Sequence, residues 1–184
     1  KARALSFETL SGVLKVERCT DGRYLLDFPV AEPRPTEVPL TILESIGVTK
    51  PVTIYHGHKF LVLELPENSD LQSIKPDFKK MLEYRKENTL CVAITKKGPA
   101  PYDFSSRVFC PWVGIDEDPV TGSAHTVLGP YWSKKLGLRE MRAYQASDRG
   151  GEMDVRLRDD GRVDLIGRAR VVLSGELRLP NTER

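Results

Sequence analysis

The sequence predicts an α+β fold: an antiparallel, barrel-like sheet wrapped around one central helix. Three observations lead there. Short runs of alternating apolar and polar residues recur along the chain, as half-buried strands do. Asp21-Gly22 and Asp160-Gly161 fall between such runs, a strong hairpin signal. One segment ending near Leu136 instead places Ala124, Val127, Leu128, Tyr131, Trp132 and Leu136 on a wide apolar face, and such a helix asks for burial on most sides. Many short strands beside a single conspicuous helix suit a sheet wound around that helix.

Taken in order, Leu5 to Leu10 and Gly12 to Arg18 alternate as strands, and Arg23 to Phe28 returns as a partner after the turn at Thr20-Asp21-Gly22. Pro29, Pro33 and Pro35 then mark a linker or domain boundary. Leu40, Leu43 and Ile46 have helical spacing, and Gly47 is placed to stop a short helix. Val52 to Tyr55 and Lys59 to Leu65 read as strands joined through His56-Gly57-His58. Asn68 to Tyr84 reads as helical, with a break at Pro76. Thr89 to Thr95 and Phe104 to Phe109 are strands again. In the central helix Pro130 cannot donate to the carbonyl four residues back, which predicts a kink. Four strands follow it: Met141 to Ala146, Asp154 to Arg158, Val163 to Ile166 and Arg170 to Leu173.

Composition narrows the function classes. With 40% hydrophobic and 8% aromatic residues, the 184-residue chain can build a core and is not disordered. Net charge is +2 with the signs interspersed, and no basic block exceeds the pairs Lys96-Lys97 and Lys134-Lys135, so no nucleic-acid surface is expected. No apolar run approaches the ~20 residues of a membrane span, and no signal-peptide pattern is present. Cys19, Cys91 and Cys110 are odd in number, widely spaced and outside any CxxC, which suggests neither a disulfide framework nor a zinc site. A soluble, cytoplasmic chain with reduced thiols is expected. It opens Lys1-Ala2-Arg3 without Met and runs at once into strand-like sequence, as a fragment beginning inside a fold would.

The chemistry-bearing stretch is Gly114-Ile115-Asp116-Glu117-Asp118-Pro119-Val120-Thr121-Gly122-Ser123-Ala124-His125. It gathers acids in front of a helix N-terminus, where free N–H groups and the dipole attract anions. Asp118 before Pro119 is either an N-cap residue or a general acid or base. Thr121, Gly122 and Ser123 either cap the helix or present donors to a substrate carboxylate. His125 is a proton shuttle, a ligand or a structural residue, and the dipole disfavours its protonation. Arg107 either pairs with a carboxylate substrate or is a surface charge. His56 and His58 would share one strand face, but no further ligands stand nearby, so no metal site is expected and an exposed turn is the plainer reading. No GxSxG, P-loop or dinucleotide glycine pattern occurs, and no cofactor is expected.

Glu117 to His125 strongly resembles the hallmark of the PhzF (phenazine biosynthesis-like) family. The likeness extends to Asp103-Phe104-Ser105-Ser106-Arg107, to Gln145 with Arg149-Gly150-Gly151-Glu152, and to Thr9-Leu10-Ser11-Gly12 with Leu26-Asp27-Phe28-Pro29. Pro111-Trp112-Val113-Gly114 and Tyr131-Trp132-Ser133 are most similar to the animal branch, whose vertebrate members are called MAWD-binding proteins.

The resemblance implies a diaminopimelate-epimerase-like fold: two similar domains, each a barrel-like sheet around a helix, with the active site in the cleft between them. Residues 1–30 would be the hairpin remnant of the first domain, 36–175 a complete second domain and 176–184 a tail. The implied chemistry is a cofactor-free isomerisation that moves a proton next to the carboxylate of a small anionic substrate. Asp118 matches the cleft aspartate, and Gly122 and Ser123 match the carboxylate-binding helix terminus. His125 matches other branches rather than the phenazine enzyme. The family's general-base glutamate, in an Asn-x-Ser-Glu-Thr-like motif, and its Gly-His-x-Thr-like motif do not occur here. The expectation is therefore one half of a two-sided site, inactive as this fragment. The alternative is a non-catalytic interaction module with a protein partner, and a third reading is self-association, as a homodimer, through the Leu5–Phe28 hairpin.

Overall fold

A computed structural model of the chain describes residues 4–10, 12–84 and 88–176. Strands β1 (Ala4–Thr9), β2 (Gly12–Arg18) and β3 (Tyr24–Pro29) form the opening meander. β4 (Arg34–Pro35), β5 (Thr53–Gly57), β6 (Phe60–Glu64), β7 (Cys91–Lys97), β8 (Phe104–Cys110) and β9 (Ile115–Glu117) follow. Helix α1 (Leu40–Ser45) lies between β4 and β5, α2 (Phe78–Glu83) between β6 and β7, and α3 (Gly122–Leu136) after β9. β10 (Glu140–Gln145), β11 (Gly151–Leu157) and β12 (Arg162–Gly167) close the described fold.

All the described strands belong to one sheet, in the order β1-β2-β3-β12-β11-β10-β8-β7-β6-β5-β4, with β9 laid on β8. Two features depart from the expected antiparallel barrel. The β6–β7 and β8–β10 pairings are parallel, so the sheet is mixed. It also wraps α3 without closing, because β1 and β4 remain its two ends.

The sheet separates two cores. On one face Phe60, Val62, Ala93, Phe104, Val108, Val155, Val163 and Leu165 surround Ala124, Val127, Leu128 and Trp132 of α3. On the other, Leu61, Leu63, Val92, Ile94 and Phe109 pack against Ile42 of α1, Ile46 at its C-terminal end and Met81 of α2. Burial on both faces explains why Phe60-Leu61-Val62-Leu63 is continuously apolar rather than alternating. Pro130 lies inside a continuous α3.

β3 pairs with β12 over its whole length, so the opening meander continues the same sheet. Asp27 and Asp164 face each other across that seam, 6% and 2% exposed. Arginines clothe both: Arg162 bonds Asp27, and Arg156 bonds Asp164 at 2.6 and 3.0 Å. The proline-rich segment is tied down as well, since Val30 N–H donates to Gly161 O and Ala31 N–H to Thr126 O, both at 3.0 Å.

Three local expectations need correction. Only Phe78–Glu83 of the segment from Asn68 to Tyr84 is helical, because Asp77 after Pro76 caps there by accepting Lys80 N–H at 3.0 Å. Arg170 to Leu173 is not a strand; Val171, Val172 and Leu173 are exposed, and the segment pairs with none of the described strands. Cys91 and Cys110 are not separate thiols but a disulfide, their Cα atoms 4.3 Å apart, because β7 and β8 pair antiparallel and bring together residues 19 apart in sequence. Cys19 is free.

Candidate active site

The loop that carries Asp118 is shaped by the end of β8. Register shifts between Phe109 and Cys110, Pro111–Val113 makes a single 3-10 turn, and Gly114 ends it at φ 87°, a conformation glycine adopts without strain. β9 then returns along β8 with Glu117 opposite Phe109, and Asp118 N–H donates to Val108 O at 3.0 Å. Asp118 is therefore fixed to the sheet by its backbone, with a half-buried side chain at the sheet's end.

Asp118 and Pro119 are not the N-cap pair of the helix. The N-cap is Thr121, in extended backbone at φ −110°, and α3 begins at Gly122. The Thr121 hydroxyl donates to Asp118 Oδ2 at 2.8 Å instead of accepting from the helix, so no side chain caps α3. Its first-turn N–H groups and the positive dipole end are left for an anion. Ser123 is exposed there, and its hydroxyl has no partner among the described residues.

Three contacts from β10 and β11 clamp this loop, and sequence reasoning assigned none of them. Gln145 Oε1 accepts from Thr121 N–H at 2.8 Å, while Nε2 donates to Asp118 O at 2.6 Å and to Thr121 Oγ1 at 3.1 Å. Ser147 Oγ donates to Pro119 O at 2.8 Å. Gly151 lies against Val120 so closely that an added Cβ would sit 2.2 Å from Val120 Cγ2. The signals for Gln145 were its place in the family likeness and a polar residue on the inward phase of β10, in line with Met141 and Ala143.

His125 lies beneath the loop, 1% exposed, its ring centroid 5.9 Å from that of Phe104. Its Nδ1 is 2.8 Å from Thr121 O, so Nδ1 carries the proton and donates. Nε2 is buried without a partner among the described residues, as is Ser106 Oγ. Burial pushes the imidazole pKa down, against the smaller opposing effect of the Thr121 carbonyl. Placed there, His125 supports the loop and does not reach outward from it.

Arg107 is neither at the site nor a free surface charge. It projects to the α1–α2 side of β8, where Nε and Nη2 each bond the Glu117 carboxylate at 2.8 Å and Nη1 bonds Leu71 O and Ile74 O at 2.7 and 2.8 Å. A carboxylate is indeed its partner, but one from this chain, and it pairs the charge of Glu117 beside Asp118. His56 and His58 do not share a strand face. His56 lies within β5, whereas His58 occupies the exposed turn at φ 51°. Among the described residues no three of His, Cys, Asp and Glu gather as metal ligands.

The chain as a whole has counterparts among known proteins. The pattern of the PhzC-PhzF family, described as phenazine biosynthesis-like protein, matches residues 1–175. The chain belongs to that family. This phenazine biosynthesis-like chain is 46% identical over 187 residues to the phenazine biosynthesis-like domain-containing protein of Rattus norvegicus and 44% identical over 189 residues to that of Homo sapiens. Each match covers 94% of the chain and 65% of the relative, so the chain spans about two thirds of these relatives' length. A Halalkalibacterium halodurans protein named as an uncharacterized isomerase is 38% identical over 178 residues, 95% of this chain and 64% of its own. The crystal structure of a PhzF-family protein from Enterococcus faecalis superposes with a TM-score of 0.84 at 34% identity, covering 97% of this chain and 66% of that one. A predicted epimerase from Pseudomonas aeruginosa shares the fold, with a TM-score of 0.64 at 18% identity. The wrapped, open sheet around α3 is thus the fold of this family.

Proposed function

We propose that this chain is the C-terminal part of a cofactor-independent isomerase that moves a proton adjacent to a carboxylate of a small molecule. The observation that carries the reading is the pairing of Asp118 with an uncapped helix terminus. One carboxylate oxygen is engaged by Thr121, while the neighbouring N–H groups of α3 and the Ser123 hydroxyl stay open to an anionic group. The isomerase name of the bacterial relative agrees with it. In this reading Thr121, Gly122 and Ser123 hold the substrate carboxylate, and a carboxylate from the remaining third of a full-length relative faces Asp118. One group removes a proton from carbon, the electron pair shifts along the conjugated system, and the other group returns a proton at a second carbon. No electron leaves the substrate, so no redox partner enters.

The test is solvent deuterium incorporation beside the carboxylate of a panel of small unsaturated acids, followed by NMR with the full-length protein. Asp118→Asn should lower incorporation by roughly 100-fold or more, the usual worth of a proton-transfer group. The 184-residue chain alone should give none. Unchanged incorporation in a folded Asp118→Asn protein would sink the reading.

A further inference from the structure

The side-chain amide of Gln145 can be oriented in one way only. Thr121 N–H, 2.8 Å from Oε1, cannot accept, and the Asp118 carbonyl, 2.6 Å from Nε2, cannot donate. Nε2 also points a proton at Thr121 Oγ1, 3.1 Å away. With that lone pair occupied, the Thr121 hydroxyl directs its own proton to Asp118 Oδ2 at 2.8 Å. Gln145 is 1% exposed and stands in register with Ser106 on β8, which in turn pairs with Thr95 on β7, so the amide is held by the sheet itself.

We propose that Gln145 is a positioning residue that gives direction to a relay, from its amide through the Thr121 hydroxyl to the Asp118 carboxylate, and so designates Oδ1 as the oxygen that exchanges a proton with substrate. This rests on the reading of Asp118 as a proton-transfer group. Oδ2 is committed to Thr121, and no donor among the described residues bonds Oδ1. A proton taken by Oδ1 from carbon leaves the Oδ2 hydrogen bond in place, and no proton moves on Gln145 or Thr121. The reacting oxygen is thereby chosen before substrate arrives, which is the preorganisation that proton transfer in a fixed geometry needs.

The test uses this chain, isotopically labelled, and needs no turnover. Gln72 is exposed and is the only other glutamine in the sequence, so it serves as an internal control. The Gln145 side-chain amide protons should exchange with water on the order of 100-fold more slowly than those of Gln72. In Gln145→Met, which keeps the length of the side chain, the Asp118 carboxyl carbon resonance should move in the same direction as in Thr121→Val, since both variants cut the relay. A packing role alone would lower the melting temperature of Gln145→Met without moving that resonance. Equal exchange at Gln145 and Gln72, or an unmoved Asp118 resonance in folded Gln145→Met, overturns the proposal. The exchange comparison needs no variant, so equal exchange overturns the proposal even where Gln145→Met does not fold, and there the Asp118 resonance is read in Gln145→Glu instead. These signals report on Gln145 alone, whereas deuterium incorporation by Asp118→Asn reports on the site reading alone.

Discussion

Thr121 occupies the N-cap of α3, yet its hydroxyl donates to the Asp118 carboxylate and not to its own helix. Removing that hydroxyl therefore deletes a charge-assisted hydrogen bond and one acceptor of Gln145 Nε2, but no cap. Thr121→Val should cost about 1.5–3 kcal/mol in urea unfolding, the range for bonds to charged groups. Thr121→Ser, which retains the donor, should stay within about 0.5 kcal/mol of the parent. Equal stability of Val and Ser variants would show that the contact has no energetic weight.

The buried imidazole of His125 makes stability depend on pH. Its folded pKa lies below the ordinary 6.5, so in acid the unfolded chain binds a proton that the folded chain refuses. The contribution is complete above pH 6.5 and is lost as pH falls below that value. Where the unfolded histidine is charged and the folded one is not, the slope approaches about 1.4 kcal/mol per pH unit. Unfolding midpoints of the parent and His125→Leu, measured between pH 7.5 and 5, should converge or cross toward acid. Parallel curves would contradict the assignment.

Gly151 and Val120 form a contact that no side chain at position 151 can share. A Cβ there would fall 2.2 Å from Val120 Cγ2, far inside van der Waals distance. Gly151→Ala should destabilise by about 1–3 kcal/mol, as overpacking does. Val120→Ala removes the offending methyl, so the double variant should recover part of that loss, a coupling readable in a double-mutant cycle. Strict additivity would mean that the strain is relieved elsewhere.

Local patterns carried much of this fold. β1 to β3, β5 to β8 and β10 to β12 follow alternation or apolar runs that each segment holds within itself, and α3 follows its own apolar face. What stayed hidden depends on partners distant in sequence. β9 has three residues and exists because β8 lies beside it. Arg170 to Leu173 has a strand's composition yet pairs with none of the described strands. Asp118-Pro119 has the same local pattern whether it caps a helix or precedes one, so three residues of loop before Gly122 could not be foreseen. Gln145 reaches Asp118 from 27 residues away, and the disulfide spans 19, distances over which spacing alone says nothing.

The β3–β12 seam also bears on how the chain reaches its fold. Arg162 and Asp27, which clasp across it, are separated by 135 residues, so β3 must wait for that length of chain before its final neighbour exists. Contacts of such long range slow folding, because loop closure precedes any gain from pairing. During synthesis β3 emerges well before β12. Until they meet, one side of β3 is an open strand edge, the part of the molecule most exposed to pairing with the wrong chain.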